Sequence, residues 1–179
     1  MSDERSQQQL DGIVRTSQIL LAALVMGIVM FAGVVLFAIP GDKPAEGRLL
    51  SVIAIAIGAT NLVLCLVVPG FIAAANRRKI AAGNWPAAER PEFGAQTDFG
   101  RLAMVYQVKM IIGAALLEGG CFLALCAYMI ERQVSSLAVT AVLLAALLAH
   151  FPTHGRVAGW IEDQLRRVEE ERQFRQFER

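Results

Sequence analysis

Charge is scarce in this chain. Only 18% of its 179 residues are Asp, Glu, Lys or Arg, against about 25% in ordinary soluble domains, while 55% are hydrophobic. That balance is too apolar for a soluble domain of this length, and a lipid bilayer is the simplest solvent that explains it. Cysteine is rarer still. Cys65, Cys121 and Cys126 all fall inside apolar stretches, where a free thiol behaves as a small hydrophobe and says little about redox compartment. Missing altogether are a phosphate-binding glycine loop, a Cys-x-x-Cys pair, a His-Glu-x-x-His helix and any nucleophile beside its base. No enzyme, no cofactor and no nucleic-acid partner is therefore expected.

What the chain does have is long apolar runs. A helix rises about 1.5 Å per residue and the hydrocarbon layer is about 30 Å thick, so a span needs about 20 apolar residues. Ile19 to Ile39 is uncharged and stops at Pro40-Gly41-Asp42. Leu49 to Ala75 is also uncharged, with Pro69-Gly70 near its end and Asn76-Arg77-Arg78-Lys79 beyond it. Leu102 to Ile130 is interrupted by Lys109 and Glu118 and ends at Glu131-Arg132. Val134 to Phe151 is the shortest, and Pro152 marks its end. The first run is not read as a signal peptide, because Asp3, Glu4 and Asp11 precede it and no clean small-x-small site follows.

Four spans predict an all-α membrane four-helix bundle of two antiparallel hairpins, followed by a C-terminal amphipathic cytoplasmic helix. The expected divisions are an N-terminal segment 1–18, hairpin 19–75, loop 76–101, hairpin 102–152 and tail 153–179. Lys and Arg then set the orientation. The side shared by both termini and the middle loop holds Arg5, Arg15, Arg77, Arg78, Lys79, Arg90, Arg101, Arg156, Arg166, Arg167, Arg172, Arg175 and Arg179; the other holds Lys43, Arg48 and Arg132. Positive charge stays cytoplasmic, so both ends are expected there.

The middle loop is long, and its Trp85, Phe93 and Phe99 are expected to lie at the headgroup region rather than to build a domain. In the tail, Val157, Ile161, Leu165 and Val168 recur at helical spacing. Glu162/Arg166, Asp163/Arg167 and Glu171/Arg175 are acid-first i,i+4 pairs. A solvated or interfacial helix is the plain expectation; a partner-binding helix is the alternative. Homo-oligomer or complex contacts are the partners to look for, through the tail or through small-residue faces such as Ala23/Gly27 and Ala54/Gly58.

Glu118 stands near the middle of its span, where a charged carboxylate costs several kcal/mol. A neutral carboxyl, or a hydrogen bond to Asn61 at the corresponding depth of the second span, would offset that cost. Glu118 and Asn61 are thus the candidate intramembrane site, either fixing helix packing or serving a proton or cation. Lys109 is expected to snorkel to the interface, and Arg77, Arg78 and Lys79 to anchor on anionic headgroups. His150 and His154 have the i,i+4 spacing of two metal ligands, but Pro152 between them breaks the helix that would align them. Interfacial hydrogen bonding is the competing reading.

The run Gly113-Ala114-Ala115-Leu116-Leu117-Glu118-Gly119-Gly120 resembles the ion-carrying helix of the rotary ATP synthase c subunit. The resemblance implies that Glu118 takes up and releases a proton. More broadly, Arg15-Thr16-Ser17-Gln18, Glu118-Gly119-Gly120-Cys121-Phe122 and Phe151-Pro152-Thr153 leading to Trp160-Ile161 resemble small bacterial four-span membrane proteins of uncharacterised activity. That resemblance implies a bacterial plasma membrane.

Overall fold

Backbone hydrogen bonding inside a helix is the only satisfaction such apolar segments carry with them, and helix is what they form. The computed structural model describes residues 2–38, 47–85 and 97–177. Within them lie α1 (Ser2–Gly33) with a π-helical turn at its end (Val34–Ala38), α2 (Leu49–Ala81), α3 (Asp98–Glu131), α4 (Val134–Ala149) and α5 (His154–Phe177). The described residues contain no strand.

Local chemistry accounts for the boundaries. Gly83 takes φ +71° beyond α2, and the Asn84 amide donates back to the Lys79 carbonyl at 3.0 Å, a glycine stop that satisfies a terminal carbonyl. Thr97 caps α3: its Oγ1 accepts the Gly100 amide at 3.1 Å. Arg132 ends α3 with φ 52° and its amide on the Tyr128 carbonyl at 2.8 Å. Only Arg132 and Gln133 separate α3 from α4, and Pro152 lies in the break before α5.

The helices run further than the apolar stretches do. α2 has 33 residues and α3 has 34, each about 50 Å long against a hydrocarbon layer of about 30 Å. α1 starts at Ser2 rather than at the start of its apolar run. Residues 76–81 belong to α2 and 98–101 to α3, so the middle loop is shorter than 76–101. Pro86, Arg90, Phe93 and Gly94 of that loop lie outside the described residues, as do Pro40-Gly41-Asp42 and Lys43. α1, α2 and α3 are each long and apolar enough to cross a membrane. α4, at 16 residues, reaches that length only when taken together with α5 across the break, so three to four helices qualify.

The chain divides into two packing units. The first comprises Met1–Gln18, Pro69–Ile111 and Pro152–Arg179; the second comprises Ile19–Val68 and Ile112–Phe151. Water-soluble logic governs the first. Leu10 and Val14 of α1, Ile80 and Ala81 of α2, Leu102 and Ala103 of α3, and Val157, Ile161 and Val168 of α5 form one buried cluster, with Trp85, Phe99, Tyr106 and Leu165 against it. Removing an aliphatic side chain of this size from water contributes about 1.5–3 kcal/mol. Trp85 and Phe99 therefore pack in a protein core, and the tail's apolar stripe is covered by its own chain.

In the second unit apolar side chains lie outside as well as inside. Large apolar side chains face outward, including Met26, Met30 and Leu66 at 62%, 64% and 70% exposure. Its interior mixes buried aliphatics, Leu21, Ile28, Leu117, Leu125, Leu143 and Leu147, with small and polar residues: Ala54, Ala124 and Ala127 form one buried cluster, and Ser51, Ser136 and Thr140 are buried. Where helices meet in hydrocarbon there is no hydrophobic drive to associate, and contact rests on close packing and hydrogen bonds. Gly58 and Gly120 supply the closeness. A Cβ at Gly58 would come within 2.7 Å of Val139 Cγ1, and one at Gly120 within 2.7 Å of Leu143 Cδ1.

Candidate functional site

α3 is the most enclosed of the three long helices, with 50% of its apolar window buried against 17% for α1 and 22% for α2. Its inner face carries Leu117, Cys121, Ala124 and Leu125, all fully buried. Asn61 of α2 reaches this helix, as its depth predicts, but the partner is backbone: Asn61 Nδ2 donates to the Leu116 carbonyl at 2.9 Å. The expected hydrogen bond to Glu118 is not the one formed. The Asn61 amide also lies over Gly120, 3.3 Å from where a Cβ would sit. Gly120 is thus the position that lets Asn61 approach.

Glu118 is half-buried on the flank of α3, beside exposed Ala115 and Gly119. A Cβ added at Gly119 would meet nothing within 4 Å. Among the described residues, no hydrogen bond or ion pair reaches the Glu118 carboxyl. Phe122, one turn further on, packs edge-on against Phe31 of α1 at 5.4 Å between ring centroids.

A second carboxylate holds a site that sequence reading passed over. Glu131, 3% exposed, accepts the Leu50 amide on Oε1 and the Ser51 amide on Oε2, each at 2.8 Å. These amides belong to the first turn of α2, which has no intrahelical acceptor for them. One side chain at the end of α3 therefore caps another helix and meets its positive dipole end. Ser136 Oγ donates to Ser51 Oγ at 3.0 Å, and Thr140 Oγ1 donates to the Ser136 carbonyl at 3.1 Å, extending the polar cluster to α4. The available signal was Glu131 at a span end facing the start of an antiparallel helix. By sequence alone it marks only the boundary of a span.

The basic candidates separate. Arg77 Nε donates to Glu171 Oε1 at 2.7 Å and its Nη1 to Gln164 Oε1 at 3.3 Å, so its head group is engaged with α5. Lys109 stands 5.0 Å from the Trp160 ring and 5.8 Å from Tyr106, a cation over two aromatic faces that ties α3 to α5. Arg78 and Lys79 are exposed. In α5, burial alone would raise the Asp163 carboxyl, but hydrogen bonds and charge from Arg166 and Arg167, both at 2.9 Å, outweigh it and hold the group below its ordinary value.

His150 and His154 are not brought together. His150 Nδ1 lies 2.8 Å from the Ala146 carbonyl and its Nε2 3.6 Å from Cys65 Sγ, whereas His154 Nε2 lies 2.9 Å from Asp11 Oδ1. No group of three or more His, Cys, Asp or Glu arranged to hold a metal ion occurs among the described residues.

These features define a class: an all-α protein with several helices long and apolar enough to cross a membrane. Comparison with family models, with curated proteins and with solved structures finds no match for the chain.

Proposed function

We propose that this chain is a four-span, non-enzymatic subunit of a bacterial plasma membrane that works by assembling into a membrane complex, with both termini and the 76–101 connection in the cytoplasm. The observation that carries the reading is Glu118. Its carboxyl is half-exposed near the middle of an apolar helix and has no partner among the described residues of its own chain. Hydrocarbon offers a carboxyl nothing to bond, so another protein surface is the natural cover. Packing of α4 against Gly58 and Gly120 supports counting it as the fourth span, within hairpins 19–75 and 102–152. Thirteen Lys and Arg on one side against three on the other support the orientation.

The test is native electrophoresis of the protein extracted from its own membranes in a mild detergent. A complex well above the 19.4 kDa of the single chain is expected. Migration as a single chain under every mild extraction would sink the reading.

The open space beside Gly119 favours a second reading, in which Glu118 is the titrating group of an oligomeric proton, ion or small-solute transport component. Carbodiimide labelling of Glu118 in native membranes, absent from Glu118→Gln, is its expected signature. A proton flux in liposomes unaltered by Glu118→Gln would remove this mechanism.

A further inference from the structure

We infer that Glu118 is the centre of a two-fold interface, where its carboxyl hydrogen-bonds to the same carboxyl of a second copy of this chain. The inference rests on the reading of the chain as a complex-forming membrane subunit, and names the partner.

The two faces of α3 differ. On the inner face Gly120 is closed off by Leu143 and Asn61, and Leu117, Cys121 and Ala124 are fully buried, so no further helix can enter there. On the outer flank Ala115 and Gly119 are exposed and stand one above the other at i,i+4 spacing, with Glu118 to one side of them. Nothing of the chain's own lies within 4 Å of a Cβ at Gly119. A neighbouring backbone can therefore come close to α3 at the depth of Glu118, where a hydrogen bond to it is needed.

Symmetry and chemistry then select the neighbour. Copies of one chain inserted in one membrane share an orientation, so a two-fold axis between them runs along the membrane normal. Across that axis each residue meets residues at its own depth, and a residue near the axis meets itself. A side chain with both a donor and an acceptor gains from such a meeting, whereas one with donors only does not. A neutral carboxyl does gain, because it carries one O–H donor and a carbonyl acceptor and forms a closed pair of hydrogen bonds with its own kind. Lipid tails cannot supply either bond. A second copy satisfies the group without a further component.

The experiment uses the full chain with Cys65, Cys121 and Cys126 replaced, carrying single cysteines in native membranes. Gly119→Cys is expected to give an oxidative dimer, whereas Leu66→Cys on the outer face of α2 and Val142→Cys on that of α4 are not. Adding Glu118→Leu should weaken dimerisation about tenfold, the scale of an interhelical hydrogen-bond pair of one to two kcal/mol. Glu118→Gln, whose amide also donates and accepts, should retain the dimer. An unchanged thermal midpoint for the Leu variant shows that the monomer still folds. Equal cross-linking at all three positions, or no loss with Glu118→Leu, overturns the inference. A single chain at Gly119→Cys that still migrates with other proteins in a large native complex overturns self-pairing and leaves the broader reading standing. A single chain in both assays overturns both.

Discussion

Arg132 is held at φ 52°, in the left-handed region where a side chain's Cβ crowds the backbone. Two effects oppose each other there. Glycine at this place relieves about 1 kcal/mol of conformational cost, yet it removes a half-buried guanidinium 5.5 Å from the Tyr128 ring, a favourable contact of a cation with a ring face. Both Arg132→Gly and Arg132→Val remove the guanidinium, but Val adds a branched Cβ at a positive φ, so Arg132→Val should be less stable than Arg132→Gly by about 1–2 kcal/mol. Equilibrium unfolding in detergent checks both. Ser17 offers a simpler case. Its Oγ is buried without a hydrogen-bond partner, so Ser17→Ala should be neutral or stabilising by up to about 1 kcal/mol. The same scale shows what composition could reveal. Glu118 stood out because a carboxyl in an apolar run is anomalous wherever the chain folds. Glu131 did not, because an acidic residue at a span end is ordinary until the facing helix is known.

Among the elements, α5 departs most from a reading of its own sequence. The stripe Val157, Ile161, Leu165 and Val168 was legible as amphipathic, and Asp163/Arg167 forms as spaced. Glu171, however, goes to Arg77 and Arg172 to Asp98, each at 2.7 Å. Those pairings depend on α2 and α3 continuing past their apolar runs, where polar residues no longer announce a membrane helix. Charge reversal tests the docking: Arg77→Glu should expose α5 to limited proteolysis, and Glu171→Arg in the same chain should restore protection. Acid should act on α5 through Asp163. Its carboxyl is depressed in the folded chain, so its contribution is complete above the unfolded value of about 3.9 and is lost as pH falls through the lower folded value. Amide exchange in α5 should accelerate on acidification below about pH 4 more in the wild type than in Asp163→Asn.

For the whole molecule, hydropathy made the all-α class and the long apolar helices visible, because hydrocarbon thickness is a stringent filter on sequence. The first packing unit was not visible. It is assembled from the ends of α1, α2 and α3 with α5, and no single stretch of sequence contains it. The 76–101 connection offers no domain of its own by sequence, and Ile80, Leu102 and Leu10 meet only through helix continuity. The proposed orientation predicts a labelling pattern. In a cysteine-free background, Gln8→Cys and Gly155→Cys should react with an impermeant maleimide only from the cytoplasmic side. Arg48→Cys and Gln133→Cys should react only from the opposite one. Reaction of Gln8→Cys and Gly155→Cys from opposite sides would replace the four-span arrangement with an odd number of crossings.

The cap on α2 also bears on how the protein is made. Leu50 and Ser51 find their acceptor 81 and 80 residues later in the chain, so a ribosome must finish α3 before the start of α2 is satisfied. Until then the first two helices are an unfinished pair whose raw amides are open to other acceptors. A chain interrupted anywhere before Glu131 lacks this acceptor altogether.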